Sequence, residues 1–152
     1  MITEHAASHG STHHSHSREL DKIYIPSVLL AEDDPELRKL MVQALRQKSF
    51  DVVAVGDGIS LLDYLVNPFL DRFWDLVISD VRLPHASGLE ILEEMSKHEH
   101  VPQFILITAF GSQETHEMAR SFGARIVMDK PFDIDDLLIT AERLIYNSHS
   151  HR

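Results

Sequence analysis

The sequence contains no cysteine among its 152 residues. This absence excludes a disulfide framework and a thiolate metal site, and it favours a reducing compartment. No apolar run approaches the ~20 residues that a membrane-spanning helix requires, and no secretory signal peptide opens the chain. We therefore expect a cytoplasmic protein that does not contact a membrane.

Positive charge is also scarce, because 14 Lys and Arg residues face 24 Asp and Glu residues and leave a formal net charge of −10 at pH 7. An acidic surface repels phosphate backbones, so we expect no direct binding to nucleic acid. Solubility alone explains most of these charges. The apolar share of 43% is that of a globular protein, and the length suffices for one domain with its own core but not for two.

Residues 1–17 are rich in Ser, His and Ala and show no hydrophobic period, so we expect a flexible tail there. The tail contains histidines that invite a metal-binding interpretation: His5, His9, His13, His14 and His16. Nothing fixes their geometry, so a tail without a physiological metal site is the preferred interpretation. With a connector, this tail spans residues 1–26 and precedes a domain predicted over residues 27–147, and residues 148–152 form a second tail.

Short apolar segments bounded by polar or turn residues alternate with helical patterns after residue 26. Each segment is typical of a buried strand in a parallel sheet. The predicted strands are Val28–Ala31, Asp51–Val55, Leu76–Asp80, Gln103–Thr108 and Arg125–Met128. The alternation predicts an α/β fold, a doubly wound, five-stranded parallel sheet with right-handed crossovers and helices on both faces.

The first helix is marked by Asp34 as its N-cap and by Pro35 at its first position, and its apolar face continues as far as Lys48. Further helices are predicted at about residues 59–66, 89–95 and 134–146, and one begins after Ser112. The helix after Ser112 is polar and keeps few apolar residues for a face. It should therefore be among the least firmly packed helices.

Polar side chains stand where four of the predicted strands end. Glu32 and Asp33 follow the first strand, Asp80 ends the third, Thr108 ends the fourth, and Lys130 comes just after the fifth. They converge if the strands are neighbours, because the carboxyl ends of parallel strands share one edge. Carboxylates within ~4–6 Å of one another repel by several kcal/mol per pair. One lysine is not enough to neutralise them, which points to a hard divalent cation such as Mg²⁺.

These groups suit phosphoryl transfer. Asp80 is the expected nucleophile and would form an aspartyl phosphate. Mg²⁺ and Lys130 would stabilise charge on the phosphoryl oxygens, and Thr108 would donate a hydrogen bond to one of them. Each residue alone has a simpler explanation, since Asp33 lies in a helix-cap segment, Thr108 ends a strand and Lys130 precedes a proline turn. Their joint position at one edge favours the phosphoryl site.

Four motifs resemble the receiver domain of bacterial two-component response regulators. They are Leu29–Pro35 (LLAEDDP), Asp75–Pro84 (DLVISDVRLP) with Ser87 and Gly88, Ile105–Ser112 (ILITAFGS) and Asp129–Phe132 (DKPF). The resemblance extends from about Ser27 to Tyr146. It implies a flavodoxin-like (βα)5 fold with strand order 2-1-3-4-5.

By this resemblance, Asp80 accepts the phosphoryl group from the phosphohistidine of a sensor histidine kinase or a histidine phosphotransfer protein. Asp33 and Asp80 would ligate Mg²⁺ together with the backbone carbonyl of Arg82, and Glu32 would hold the ion through water. The chain would then be a signalling domain that phosphorylates and dephosphorylates itself, rather than a turnover enzyme. It would relay the signal to an unknown effector protein by conformational change.

The resemblance also implies that Thr108 and Lys130 bind the phosphoryl group and that the Lys130–Pro131 bond is cis. The family's switch aromatic usually stands three positions before the lysine, and that position is Val127 here. A backbone shift of the loop after Thr108 is therefore the expected carrier of any signal.

Two side chains would flank the phosphoryl site, and they are Arg82 and Phe110. One is charged and the other is bulky. We hypothesise that they hinder an attacking water molecule and lengthen the life of the phosphoryl group.

Other interpretations stay open beside this one. A phosphohydrolase of the haloacid dehalogenase kind also uses an aspartyl nucleophile, but its second acid is replaced here by Arg82. A flavin- or nucleotide-binding module would need a glycine-rich loop after the first strand, where Glu32 and Asp33 stand instead. An unphosphorylated scaffold is the third alternative. The helix faces are too generic to decide whether the chain forms a homodimer.

Overall fold

The structure, a computed structural model, describes residues 23–151, so the predictions for the His-rich segment lie outside the described residues. Five parallel strands form one sheet in the order β2-β1-β3-β4-β5. Helices alternate with the strands along the chain. The predicted α/β class, the parallel sheet and the strand order are all confirmed.

The elements begin and end close to the predicted positions. The strands are β1 (Ser27–Ala31), β2 (Asp51–Val55), β3 (Leu76–Asp80), β4 (Gln103–Thr108) and β5 (Ile126–Asp129). The helices are α1 (Pro35–Gln47), α2 (Gly58–Val66), α3 (Gly88–Met95), α4 (Gln113–Ser121) and α5 (Ile134–His149). No helix within residues 23–151 is long and apolar enough to cross a bilayer.

Helix α5 is longer than predicted, because it continues past Tyr146 to His149. The His149 ring contacts the ring of Tyr24, with centroids 4.6 Å apart. Its Nε2 lies 3.8 Å from Oδ1 of Asp75, which precedes β3. These contacts hold the last turn of α5 against the amino edge of the sheet. Residues 148 and 149, predicted as part of a tail, are therefore helical.

The central strands alternate their side chains between two apolar cores, one on each face of the sheet. Val28 and Leu30 of β1 belong to the core beneath α1 and α5, whereas Leu29 belongs to the core beneath α2, α3 and α4. Every residue of β3 is buried. Burial on both faces explains why these strands are nearly continuous apolar runs rather than alternating ones.

All five helices begin with a side-chain cap. The cap residues are Asp34, Asp57, Ser87, Ser112 and Asp133, and each accepts a hydrogen bond from a backbone N–H in the first turn. A cap of this kind contributes roughly 1 kcal/mol to stability. The caps set where each helix starts, just beyond the carboxyl edge of the sheet.

Helix α4 is the polar helix that the sequence predicted. Ala119 is its only buried residue. Little apolar area therefore fixes this helix on the sheet, compared with α5, which buries four side chains: Leu137, Leu138, Ala141 and Ile145.

Candidate functional site

The acidic residues predicted for the site come together at the carboxyl edge of the sheet. Glu32 follows β1, Asp80 ends β3, and these strands are hydrogen-bonded neighbours. One carboxylate oxygen from each of Glu32, Asp33 and Asp80 lies within 4.8 Å of the other two. Glu32 is 1% exposed and Asp80 is 4% exposed, whereas Asp33 faces solvent.

Lys130 connects two of these carboxylates. Its Nζ lies 2.9 Å from Oδ1 of Asp80 and donates to both carboxylate oxygens of Glu32 at 3.1 Å. The Lys130–Pro131 peptide bond is cis, as the resemblance implied. A single ammonium group therefore bridges two buried carboxylates that are far apart in the sequence.

The buried oxygens of Asp80 are not fully satisfied by this ammonium group. Neither oxygen accepts a hydrogen bond of acceptable geometry from any described residue, although Lys130 is within ion-pair distance. A buried polar group without its partner costs about 1–3 kcal/mol. Carboxylate oxygens are hard ligands, and a cluster of three with one ammonium group keeps a net negative charge. The donor set therefore fits a Mg²⁺ ion.

The pKa of the Asp80 carboxyl is raised to about 8, mainly by burial and next by the neighbouring Glu32, whose effect exceeds the lowering by Lys130. A protonated Asp80 can donate a hydrogen bond to Glu32. For Lys130, burial lowers the pKa, but the carboxylates of Asp80 and Glu32 outweigh burial and raise it overall. Lys130 is therefore positively charged at pH 7. Asp80 is largely protonated there until a cation displaces its proton.

Thr108 lies at the end of β4 and is 5% exposed. Its Oγ1 accepts a hydrogen bond from the backbone N–H of Phe110 at 3.2 Å, so its own O–H can donate a hydrogen bond elsewhere. Its carbonyl oxygen accepts from the N–H of Lys130 at 2.8 Å. This bond holds the ends of β4 and β5 side by side, next to the acidic cluster.

The two residues expected to flank the site contact each other. The guanidinium carbon of Arg82 lies 4.7 Å from the centroid of the Phe110 ring. Phe110 is 71% exposed, and Arg82 is exposed as well. The contact joins the loop after β3 to the loop after β4. The backbone of Arg82, whose carbonyl is the remaining expected ligand, lies two residues beyond Asp80 in the first of these loops.

Reasoning from the sequence missed two side chains near the site. Arg38 on α1 donates from Nη1 to the carbonyl oxygen of Glu32 at 2.8 Å, which holds the backbone that carries the first two acids. His116 on α4 lies with its Nε2 2.8 Å from Oδ1 of Asp129. Both are ordinary polar residues on amphipathic helices, so no signal in the sequence distinguishes them.

A glycine also shapes the site. A Cβ atom at Gly88 would lie 2.1 Å from the carbonyl oxygen of Asp80 and 2.6 Å from Oγ of Ser79. The start of α3 therefore approaches the backbone of Asp80 more closely than any other residue type allows.

Comparison with known proteins agrees with this geometry. A family model described as the response regulator receiver domain matches residues 28–142. The regulatory protein AtoC of Escherichia coli is 31% identical over 121 residues, which cover 80% of this chain and 25% of that protein. The transcriptional regulatory protein PdtaR of Mycobacterium tuberculosis is 33% identical over 118 residues, or 76% of this chain and 54% of that protein. The chain spans about half or less of the length of these relatives.

Solved structures agree as well. The receiver domain of the Francisella response regulator 1452 superposes with a TM-score of 0.74 at 25% identity, covering 81% of this chain and 98% of that one. The receiver domain of HemR from Leptospira biflexa superposes with a TM-score of 0.70 at 32% identity, covering 79% of this chain and 94% of that one.

The family match spans most of residues 23–151, which the structure describes, and the superposition covers nearly all of both receiver-domain structures. Phosphorylation and Mg²⁺ are general features of these domains, which are signalling modules and generally not turnover enzymes. The chain belongs to the response regulator receiver domain family of two-component systems.

Proposed function

We propose that this chain accepts a phosphoryl group on Asp80 and signals through the resulting change of shape. The observation that carries the proposal is the state of Asp80, a buried carboxyl group at a strand end. Among the described residues, neither of its oxygens accepts a hydrogen bond of acceptable geometry, and an ammonium group lies 2.9 Å away. A structural carboxylate would be satisfied by donors. A nucleophile needs a free lone pair and a neighbouring positive charge.

The reaction forms one bond and breaks another. A carboxylate oxygen of Asp80 attacks phosphorus in line, and the P–N bond of the donor phosphohistidine breaks. The imidazole nitrogen leaves with the bonding electron pair and takes up a proton. Lys130 remains positively charged beside the attacked group, and the Thr108 hydroxyl donates a hydrogen bond to a phosphoryl oxygen.

We assign the metal-holding residues as Asp33, Asp80 and the backbone carbonyl of Arg82, with Glu32 acting through water. Glu32 already accepts two hydrogen bonds from Lys130, which suits an indirect role better than direct ligation. When bound, Mg²⁺ supplies positive charge that offsets the negative charge developing on the transferred group. Arg38 positions the backbone of Glu32 through its hydrogen bond.

The phosphoryl donor in this proposal is a sensor histidine kinase or a histidine phosphotransfer protein, and the recipient of the signal is an effector protein that the sequence does not identify. A cytoplasmic location remains a prediction. No observation favours the phosphohydrolase, the flavin module or the unphosphorylated scaffold over this proposal.

The proposal is tested by adding Mg²⁺ and acetyl phosphate to the purified chain and measuring its intact mass. The wild type should gain the mass of one phosphoryl group, and the gain should disappear with EDTA. Asp80→Asn should gain nothing, whereas Asp63→Asn, at an exposed position on α2, should gain as much as the wild type. The proposal would be contradicted if the wild type gained no mass or if Asp80→Asn gained the mass of a phosphoryl group. A wild type that gains no mass would favour the unphosphorylated scaffold.

The lifetime of the phosphoryl group depends on Arg82 and Phe110 in this proposal. The guanidinium carbon of Arg82 lies 4.7 Å from the centroid of the Phe110 ring. In this proposal the pair obstructs the approach of water to phosphorus. We expect autodephosphorylation, followed by mass or by phosphate release, to be about tenfold faster in the Arg82→Ala/Phe110→Ala double variant. Equal half-lives of seconds in the wild type and the variant would refute this role.

A further inference from the structure

One side-chain contact at the carboxyl edge is not used by the reaction described above. His116, in the first turn of α4, lies with its Nε2 2.8 Å from Oδ1 of Asp129, the last residue of β5. The side chain of His116 is 17% exposed and that of Asp129 is 62% exposed. Among residues 23–151, this is the only side-chain hydrogen bond that joins α4 to the sheet. We call the pair the His116–Asp129 latch.

The latch touches the phosphoryl site through Gly111. Thr108 and Asp129 are paired across β4 and β5, so the latch stands one strand away from the Thr108 hydroxyl. A Cβ atom at Gly111 would lie 2.4 Å from Oδ1 of Asp129, 2.7 Å from Nε2 of His116 and 2.7 Å from Cγ2 of Thr108. The Gly111 backbone therefore packs against the Thr108 methyl group on one side and against the latch on the other.

Little else holds the first turn of α4. Ala119, farther along the helix, is its only buried residue. The strand beneath contributes Val127, a half-buried aliphatic side chain that pairs with Leu106 and belongs to the packed core. Val127 offers no ring that could move between a buried and an exposed position. The latch joins α4 to β5, and it packs against Gly111, which in turn packs against Thr108.

We propose that the His116–Asp129 latch transmits the phosphorylation state of Asp80 to α4, closed in the unmodified domain and open in the phosphorylated one. This inference rests on the proposed function. The Thr108 hydroxyl now accepts a hydrogen bond from the N–H of Phe110. When that hydroxyl donates to a phosphoryl oxygen on Asp80, the Thr108 side chain and the loop behind it shift together. The Gly111 backbone follows, the imidazole and the carboxylate separate, and the first turn of α4 is released.

The experiment uses beryllofluoride, a stable phosphoryl mimic, and hydrogen–deuterium exchange of the α4 amides. The wild type is compared with His116→Ala, which removes the latch, and with Gly111→Ala, whose Cβ would lie 2.4 Å from Oδ1 of Asp129 and would push that exposed side chain away. Glu117→Ala is the matched control, because Glu117 is exposed on the same helix and bonds only to Gln113. Acetyl phosphate labelling of the wild type is measured first, which separates the chemistry from its transmission.

We expect beryllofluoride to speed exchange in α4 of the wild type and of Glu117→Ala. In His116→Ala and Gly111→Ala, exchange should already be fast and should not rise further. In these variants no latch has to open when beryllofluoride binds, so binding is not opposed by the free energy of opening. The beryllofluoride concentration at half-saturation of the domain should therefore be roughly fivefold lower. If the wild type is labelled on Asp80 but both variants respond like the control, the proposed role of the latch is wrong and the proposed function stands. An unlabelled wild type would overturn the latch and the proposed function together.

Discussion

Asp80→Asn is expected to unfold at a higher temperature and a higher urea concentration than the wild type at pH 8. The folded domain holds this carboxyl at a pKa of about 8, mainly because it is buried, whereas in the unfolded chain the carboxyl has its ordinary pKa of 3.8. Between these pH values the unfolded state binds fewer protons than the folded state, so raising the pH favours unfolding. The neutral amide of the variant removes this penalty.

The effect must therefore depend on pH in a definite direction. Below about pH 4 the carboxyl is protonated in both states, and the two proteins should differ little in their free energy of unfolding. The advantage of Asp80→Asn should grow from there and be complete above about pH 8, where we expect several kcal/mol. Lys130 keeps its hydrogen bonds to Glu32 in the variant, so no unpaired charge offsets this gain.

Mg²⁺ provides the second half of this test. A cation that binds only the folded state increases the free energy of unfolding by RT ln(1 + [L]/Kd), where [L] is the free cation concentration. Mg²⁺ should therefore stabilise the wild type, more strongly at pH 8 than at pH 6 because the ion competes with the proton on Asp80. It should have little effect on Asp80→Asn. Equal stability of the two proteins at both pH values, or equal Mg²⁺ stabilisation, would contradict the electrostatic description of the site.

The second large effect is expected from Gly88→Ala. The added Cβ atom would meet the carbonyl oxygen of Asp80 at 2.1 Å, and a main-chain atom cannot swing away as a side chain can. Either α3 or the end of β3 must move. We expect a loss of about 3 kcal/mol or more in urea unfolding, together with slow or absent labelling by acetyl phosphate in the fraction that folds.

Gly123→Ala is the matched control for this substitution. Gly123 has a φ of +103°, but a Cβ atom there meets nothing within 4 Å. This variant should therefore lose only about 1 kcal/mol, from backbone strain, and should be labelled like the wild type. If the two alanine variants lost equal stability and were labelled equally, the close approach of α3 to Asp80 would not matter for the site.

The sequence by itself determined the elements of this fold. Runs such as Leu76–Ile78 are apolar on both faces, and strands that are buried on both faces are typical of a parallel sheet covered by helices. Asp34 and Pro35 set the start of α1 because capping depends on neighbouring residues alone. The end of α5 was misjudged, since the contacts of His149 with Tyr24 and Asp75 are not local.

Only the tertiary structure decided how the site residues meet. Periodicity carries no information on strand order, which the family resemblance supplied and which brings Lys130 to Glu32 across 98 positions of sequence. The raised pKa of Asp80 depends on its burial, and the stacking of Arg82 on Phe110 depends on the approach of two loops. The position of the latch beside Thr108 depends on the register of β4 and β5. Each depends on distances between segments remote in the chain, whereas a local pattern reports only which residues face the same side of one element.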